Sequence, residues 1–154
     1  MAQDRAAGRN GAARYAAAGN VARLRSREGS ASPAAFVEEA ERLLERSRSE
    51  DRPEDRITWA YRAALRAAGA VIQTARKKRR RLPSGSAWVR LRTLSPDMSE
   101  WAAEFDEQAR YVARVEMGLE HGLAPEAADR IYARACDFVD AVRIRTGYLG
   151  EDAA

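Results

Sequence analysis

EDRPEDRITWAYRAALRAAGAVIQTARKKRRR, residues 50 to 81, decides the fold. Pro53 sits where a helix accepts proline, because the first-turn N–H groups have no intrahelical partner. Ile57, Ala60, Tyr61, Ala64, Leu65, Ala68, Val71 and Ile72 then recur at helical spacing on one face. The alanines and Gly69 keep that stripe thin, so the spacing predicts a long helix that a neighbour can approach closely. Six consecutive basic residues, Arg76 to Arg81, and the breaker LPSGS end it.

The flanking segments read the same way. Ser32 and Pro33 are an N-cap and first-turn pair, followed by Phe36, Val37, Ala40, Leu43 and Leu44 on one face. Early glutamates and late arginines match the helix dipole. SAWVRLRTLSP (86–96) predicts a short helix with Trp88, Leu91 and Leu94 as apolar contacts. A helix over about 97–120 carries Met98, Trp101, Phe105, Val112, Val115 and Leu119, with a break at His121-Gly122. The last, about 125–146, stacks Ala128, Ile131, Ala135, Phe138, Val139 and Val142, with Gly147 as a left-handed cap. No stretch alternates with period two and no repeat is present. The expectation is an all-α, four-helix up-and-down bundle with one additional short helix.

Residues 1–31 combine Gly, Ala, Ser and Arg with few large apolar side chains, which predicts a disordered basic tail. The bundle is expected to span 32–147, with a C-terminal tail at 148–154. Residues 1–32 carry six arginines against Asp4 and Glu28, so the formal charge of +4 belongs to the tail. The other 122 residues balance 21 basic against 21 acidic groups, yet they are polarised. Residues 76–92 hold eight basic groups and no acid, whereas residues 97–140 hold eleven acids and four arginines. Such segregation supports contact with an anion on one face.

Single residues exclude much chemistry. Cys136 is the only cysteine and His121 the only histidine, which removes intrachain disulfides, thiolate metal centres and paired-histidine metal sites. Cys136 lies on an apolar stripe and reads as an inert thiol. No apolar run approaches the roughly 18 residues of a membrane span, and the first residues lack a secretory h-region. A cytoplasmic protein without cofactor or metal is expected.

DRPEDRITWAYRAALRAAGAVI, the basic loop, and SAWVRLRTLSPDMSEWAAEF together resemble a small actinobacterial subfamily of HEPN domains, the SAV-type. The likeness rests on Arg52 to Arg56, Trp59 to Leu65, Ser86-Ala87-Trp88 and Ser99 to Ala102, and covers roughly residues 33–142. It implies a four-helix bundle, often dimeric, tied to RNA cleavage or nucleotide binding and to toxin–antitoxin or defence settings. Its implied partners are RNA or nucleotide, a second copy, and a cognate nucleotidyltransferase or antitoxin. The catalytic signature of the family, an arginine followed after four to six residues by a histidine, falls here on Arg114 and His121. The residue after that arginine is usually polar, whereas Val115 stands here.

On one helix Arg114 and His121 would share a side, about 10 Å apart along the axis. The histidine would take the 2′-hydroxyl proton and the arginine would stabilise the developing phosphorane. Equally, His121 and Gly122 suit a helix terminus with no catalytic role. Arg76, Lys77, Lys78, Arg79, Arg80 and Arg81 read as a phosphate clamp, and equally as the cationic cap of a helix C-terminus. Trp88 could stack on a base, but its spacing places it in the core. Trp59, off the main stripe, either anchors a second subunit or widens the buried face. The reading is therefore an RNA- or nucleotide-binding HEPN-like domain with weak or no catalysis. Its alternatives are a metal-independent endoribonuclease and a non-catalytic dimeric interaction module.

Overall fold

In a computed structural model the described residues are 32–147, and they are all helical apart from connections. The expectations for residues 1–31 and 148–154 lie outside the described residues. α1 spans Pro33–Ser49, α2 Pro53–Arg76, α3 Ala87–Leu94, α4 Ser99–Glu116 and α5 Pro125–Arg145, with a 3₁₀ turn at Pro96–Met98 before α4. This is the expected bundle with one additional short helix.

The starts follow local chemistry. Ser32 Oγ accepts the Ala35 N–H at 3.2 Å, and Ser86 Oγ accepts that of Val89 at 3.3 Å, each satisfying an otherwise orphaned donor. Pro53 and Pro125 stand in the first turns of α2 and α5. Gly147, at φ 71°, donates to Ile144 O and closes α5 as its sequence position predicts.

One end differs from expectation. α4 stops at Glu116 rather than near residue 120, because Gly118 adopts φ 71°. Leu119 N–H reaches Arg114 O at 2.9 Å and Gly118 N–H reaches Val115 O at 3.0 Å, the paired bonds of a Schellman stop. α2 ends at Arg76, within the basic run as the sequence predicts, and Lys77 to Arg81 lie in the turn and bends beyond it.

α2 is the centre of the bundle, in contact with all four other helices. Its buried residues are Ile57, Ala60, Ala63, Ala64, Ala67, Ala68, Ala70 and Val71, so two adjoining faces are covered rather than one. Small side chains permit helix axes to approach to about 8 Å. α1 exploits this: the ring of Phe36 lies where a Cβ on Gly69 would come within 3.0 Å. α2 and α5 run the same way, with Arg56 Nη2 and Asp129 Oδ1 2.6 Å apart near their starts and a shared cavity at their ends.

The other half of the core is aromatic. Trp88 from α3 stacks on Phe105 from α4 at 5.2 Å between centroids, and Phe138 from α5 meets Phe105 at 5.2 Å and Trp101 at 5.4 Å. Trp88 Nε1–H donates to Tyr61 Oη at 3.0 Å, and that hydrogen bond joins α3 to α2. Trp88 is 2% exposed, so it is core and has no face for a base. No helix among the described residues is long and apolar enough to cross a membrane.

Candidate functional site

The residues singled out by sequence fall at opposite ends of the bundle. Thr58 and Thr74, one beside each group, lie roughly 24 Å apart along α2 at the α-helical rise. The His121 group and the basic run therefore do not form one site.

At the first end, the starts of α2 and α5 meet the ends of α1 and α4. His121 is exposed on the α4–α5 connection and lines a cavity of about 560 Å³ with Arg52, Glu54, Asp55, Thr58 and Arg62 of α2 and its approach. Glu116, Glu120 and Gly122 complete the wall. Four carboxylates thus surround one histidine and two arginines. Arg62 Nη2 is 3.6 Å from Glu116 Oε1, and Arg52 is within 4.0 Å of both Glu54 and Asp55. Arg114 does not line this cavity; its Nη2 is held by Glu120 Oε1 at 2.9 Å. Because α4 stops before Gly118, Arg114 and His121 are not two turns apart on one helix.

Trp59 is half-buried near this end, with the Arg46 and Arg62 guanidinium groups over its ring at 4.5 and 4.9 Å. Met117 and Leu119, in the turn that ends α4, are exposed at 70% and 57%. Cys136 is half-buried on α5, and burial pushes its thiol above the ordinary range, which keeps it protonated and inert.

At the second end, α2, α3 and α5 all terminate. Arg76 to Arg81 are exposed. None of the eight cations between 76 and 92 makes an ion pair among the described residues. Elsewhere most arginines are paired, including Arg56, Arg66, Arg134 and Arg143, whose partners are Asp129, Glu39, Glu104 and Glu41. The basic stretch is thus the part of the bundle whose positive charge is left uncompensated. Behind it lies a cavity of about 240 Å³, lined by Val71, Thr74, Ala75, Lys78, Arg79, Leu94, Ser95, Arg145 and Thr146.

Only Lys78 and Arg79 of that lining are singled out by the sequence as binding residues. Thr74, Ser95, Arg145 and Thr146 come from three different helix ends, and no local pattern announces that those ends converge. Arg145 is fixed there by Asp97, with Nε 2.7 Å from Oδ2. A hydrogen bond from Ser95 and then the Arg145 guanidinium hold the Asp97 carboxyl below its usual range. No three or more His, Cys, Asp or Glu side chains among the described residues are placed so that they could hold a metal ion.

The family profile described as SAV_6107-like HEPN matches residues 47–143, from late α1 to late α5. No curated protein and no solved structure matches the chain.

Proposed function

The chain belongs to the SAV_6107-like HEPN family, and from that premise we propose that it binds RNA or nucleotide without effective ribonuclease activity. The observation that carries the reading is the contrast between the two ends. Eight cations at residues 76–92 have no ionic partner among the described residues, so bringing phosphate to them breaks no existing pair. Arg114, by contrast, is already bound to Glu120, and His121 faces a carboxylate-rich wall. Carboxylates lining the same cavity repel a phosphodiester and oppose the charge that develops as it is cleaved.

Single-stranded RNA should therefore bind with a steep salt dependence. Arg79→Gln, Arg80→Gln and Arg81→Gln together should flatten the log–log salt slope by about 2, at roughly 0.7 for each phosphate no longer neutralised. Fluorescence anisotropy between low and moderate salt reads this directly, and an unchanged slope would remove the clamp.

The ribonuclease alternative draws on one feature, an open cavity where His121 and Arg62 stand together. It is settled by incubating the protein with RNA in chelator. Cleavage at the rate of His121→Ala, meaning background only, is expected. Robust metal-independent cleavage abolished by His121→Ala would reverse the assignment, since no other histidine exists to act as base. Exposed Met117 and Leu119 support contact with a second copy at this end. Family membership supports a cognate nucleotidyltransferase or antitoxin as a further partner.

A further inference from the structure

We infer that the 240 Å³ cavity at the basic end is a mononucleotide site that takes a nucleoside monophosphate with its base and sugar inside and its phosphate at the mouth. This rests on the reading that the basic end binds RNA or nucleotide, and it goes further by naming which chemical parts are recognised and by which atoms.

The hydroxyl groups of the wall set the requirement. Thr74 Oγ1–H donates to Ala70 O at 2.9 Å, and Thr146 Oγ1–H donates to Val142 O at 2.8 Å. Ser95 Oγ–H donates to Asp97 Oδ1 at 2.7 Å. Each proton is already given to a protein oxygen, and Ser95 is buried and also accepts from Arg145, so the lone pairs left for a ligand are those of Thr74 and Thr146. The ends of α2, α3 and α5 add the negative end of each helix dipole. A bare dianion is unwelcome inside such a wall. A group bearing N–H or O–H donors is what it accepts, and a base and a ribose carry both.

The cations set the other half. Arg145 is committed to Asp97 and Ser95, with Nη2 3.4 Å from Ser95 Oγ. Lys78 and Arg79 are exposed and make no ion pair among the described residues, and they stand beyond the last turn of α2. A phosphate is therefore held at the rim by these two, outside the acceptor-lined interior. Val71 and Leu94 give that interior an apolar surface against which a flat ring can lie. Its volume is below the roughly 300–1,000 Å³ of drug-sized pockets, which suits one nucleoside and no more. The ligand chemistry is shared by a free nucleotide and by the phosphorylated end of an RNA chain.

Calorimetric titration of the full chain with adenosine monophosphate, adenosine and inorganic phosphate tests the assignment. Adenosine monophosphate should bind at least tenfold more tightly than either part alone. Thr74→Val removes lone pairs while preserving shape, and should weaken the monophosphate about fivefold, the effect of one hydrogen bond. Thr146→Val should do the same, and circular dichroism should show both variants folded. Lys78→Gln with Arg79→Gln should abolish the advantage of monophosphate over adenosine. Arg110→Gln, exposed on α4 and no part of the lining of this cavity, should leave monophosphate binding unchanged. Inorganic phosphate binding as tightly as the monophosphate would overturn the site, as would indifference to both threonine substitutions.

Competition by oligoribonucleotides separates the two sources. Displacement of the monophosphate by a 5′-phosphorylated chain, but not by its 5′-hydroxyl counterpart, identifies an RNA end; displacement by neither identifies the free nucleotide. Absence of monophosphate binding alongside a salt-dependent RNA affinity sinks the cavity alone, whereas absence of both sinks the reading beneath it.

Discussion

Trp88→Ala is expected to lower the unfolding free energy by about 3–5 kcal/mol, as truncation of a buried aromatic does. Trp88 is 2% exposed and stacks on Phe105 with an interplanar angle of 20°. It also meets Phe138 at 6.0 Å and Tyr61 at 6.1 Å, so one side chain links α2, α3, α4 and α5. Its indole N–H satisfies Tyr61 Oη at 3.0 Å. α3 has eight residues, too few to persist as an isolated helix, and Trp88 with Leu91 are its buried residues. Removing the indole therefore leaves a void and releases the helix that carried it. Trp88→Phe keeps the stack and loses the hydrogen bond, and should cost about 1–3 kcal/mol less than the alanine variant. Urea denaturation of the three proteins gives the comparison. A Trp88→Ala protein within about 1 kcal/mol of the parent would show that the aromatic cluster does not organise this half of the core.

Ala67→Leu should destabilise by about 3 kcal/mol, the upper part of the range for overpacking. Ala67 is fully buried, as are Ala60, Ala63, Ala64, Ala68 and Ala70 on the same helix. In isolation leucine is nearly as good a helix former as alanine and buries more apolar surface, so propensity and hydrophobicity alone predict no loss. Geometry reverses the sign: a helix surrounded on two faces has no free direction for three extra carbons. Ala103→Leu, at an exposed position of α4, is the control and should change stability by less than about 0.5 kcal/mol. Equal effects of the two substitutions would mean that the close approach to α2 is not what limits side-chain size.

Those two positions mark how far the sequence is legible. Trp88 belongs to a short run of large apolar residues at helical spacing, and large side chains declare their side. Ser32, Pro53, Ser86 and Gly147 declare helix limits because capping is chemistry within a few residues. Ala63, Ala67 and Ala70 declare nothing, since alanine is compatible with either core or surface, and the second buried face of α2 emerges only from the helices that cover it. Gly118 is hidden because the periodicity continues through Leu119, while the Schellman stop depends on a backbone conformation that periodicity does not report. The basic run is visible, but its cavity is not. Thr74, Ser95, Arg145 and Thr146 are brought together by the parallel course of α2 and α5 and by the placing of α3, which no local pattern contains. Arg114 and His121 match a spacing, and spacing says nothing of Glu120, which takes the arginine.

The position of α2 against every other helix also bears on how this chain can change over generations. A bundle of equal helices distributes its constraints, so drift at one interface can be absorbed by repacking beside it. Here all four other helices pack on α2, whose buried residues are mostly alanines on two adjoining faces, and a substitution that relieves one neighbour crowds another. The surface helices can exchange large side chains for other large ones, since volume-conserving swaps are tolerated. The central helix has no such latitude, and its least conspicuous residues are the ones with fewest acceptable replacements.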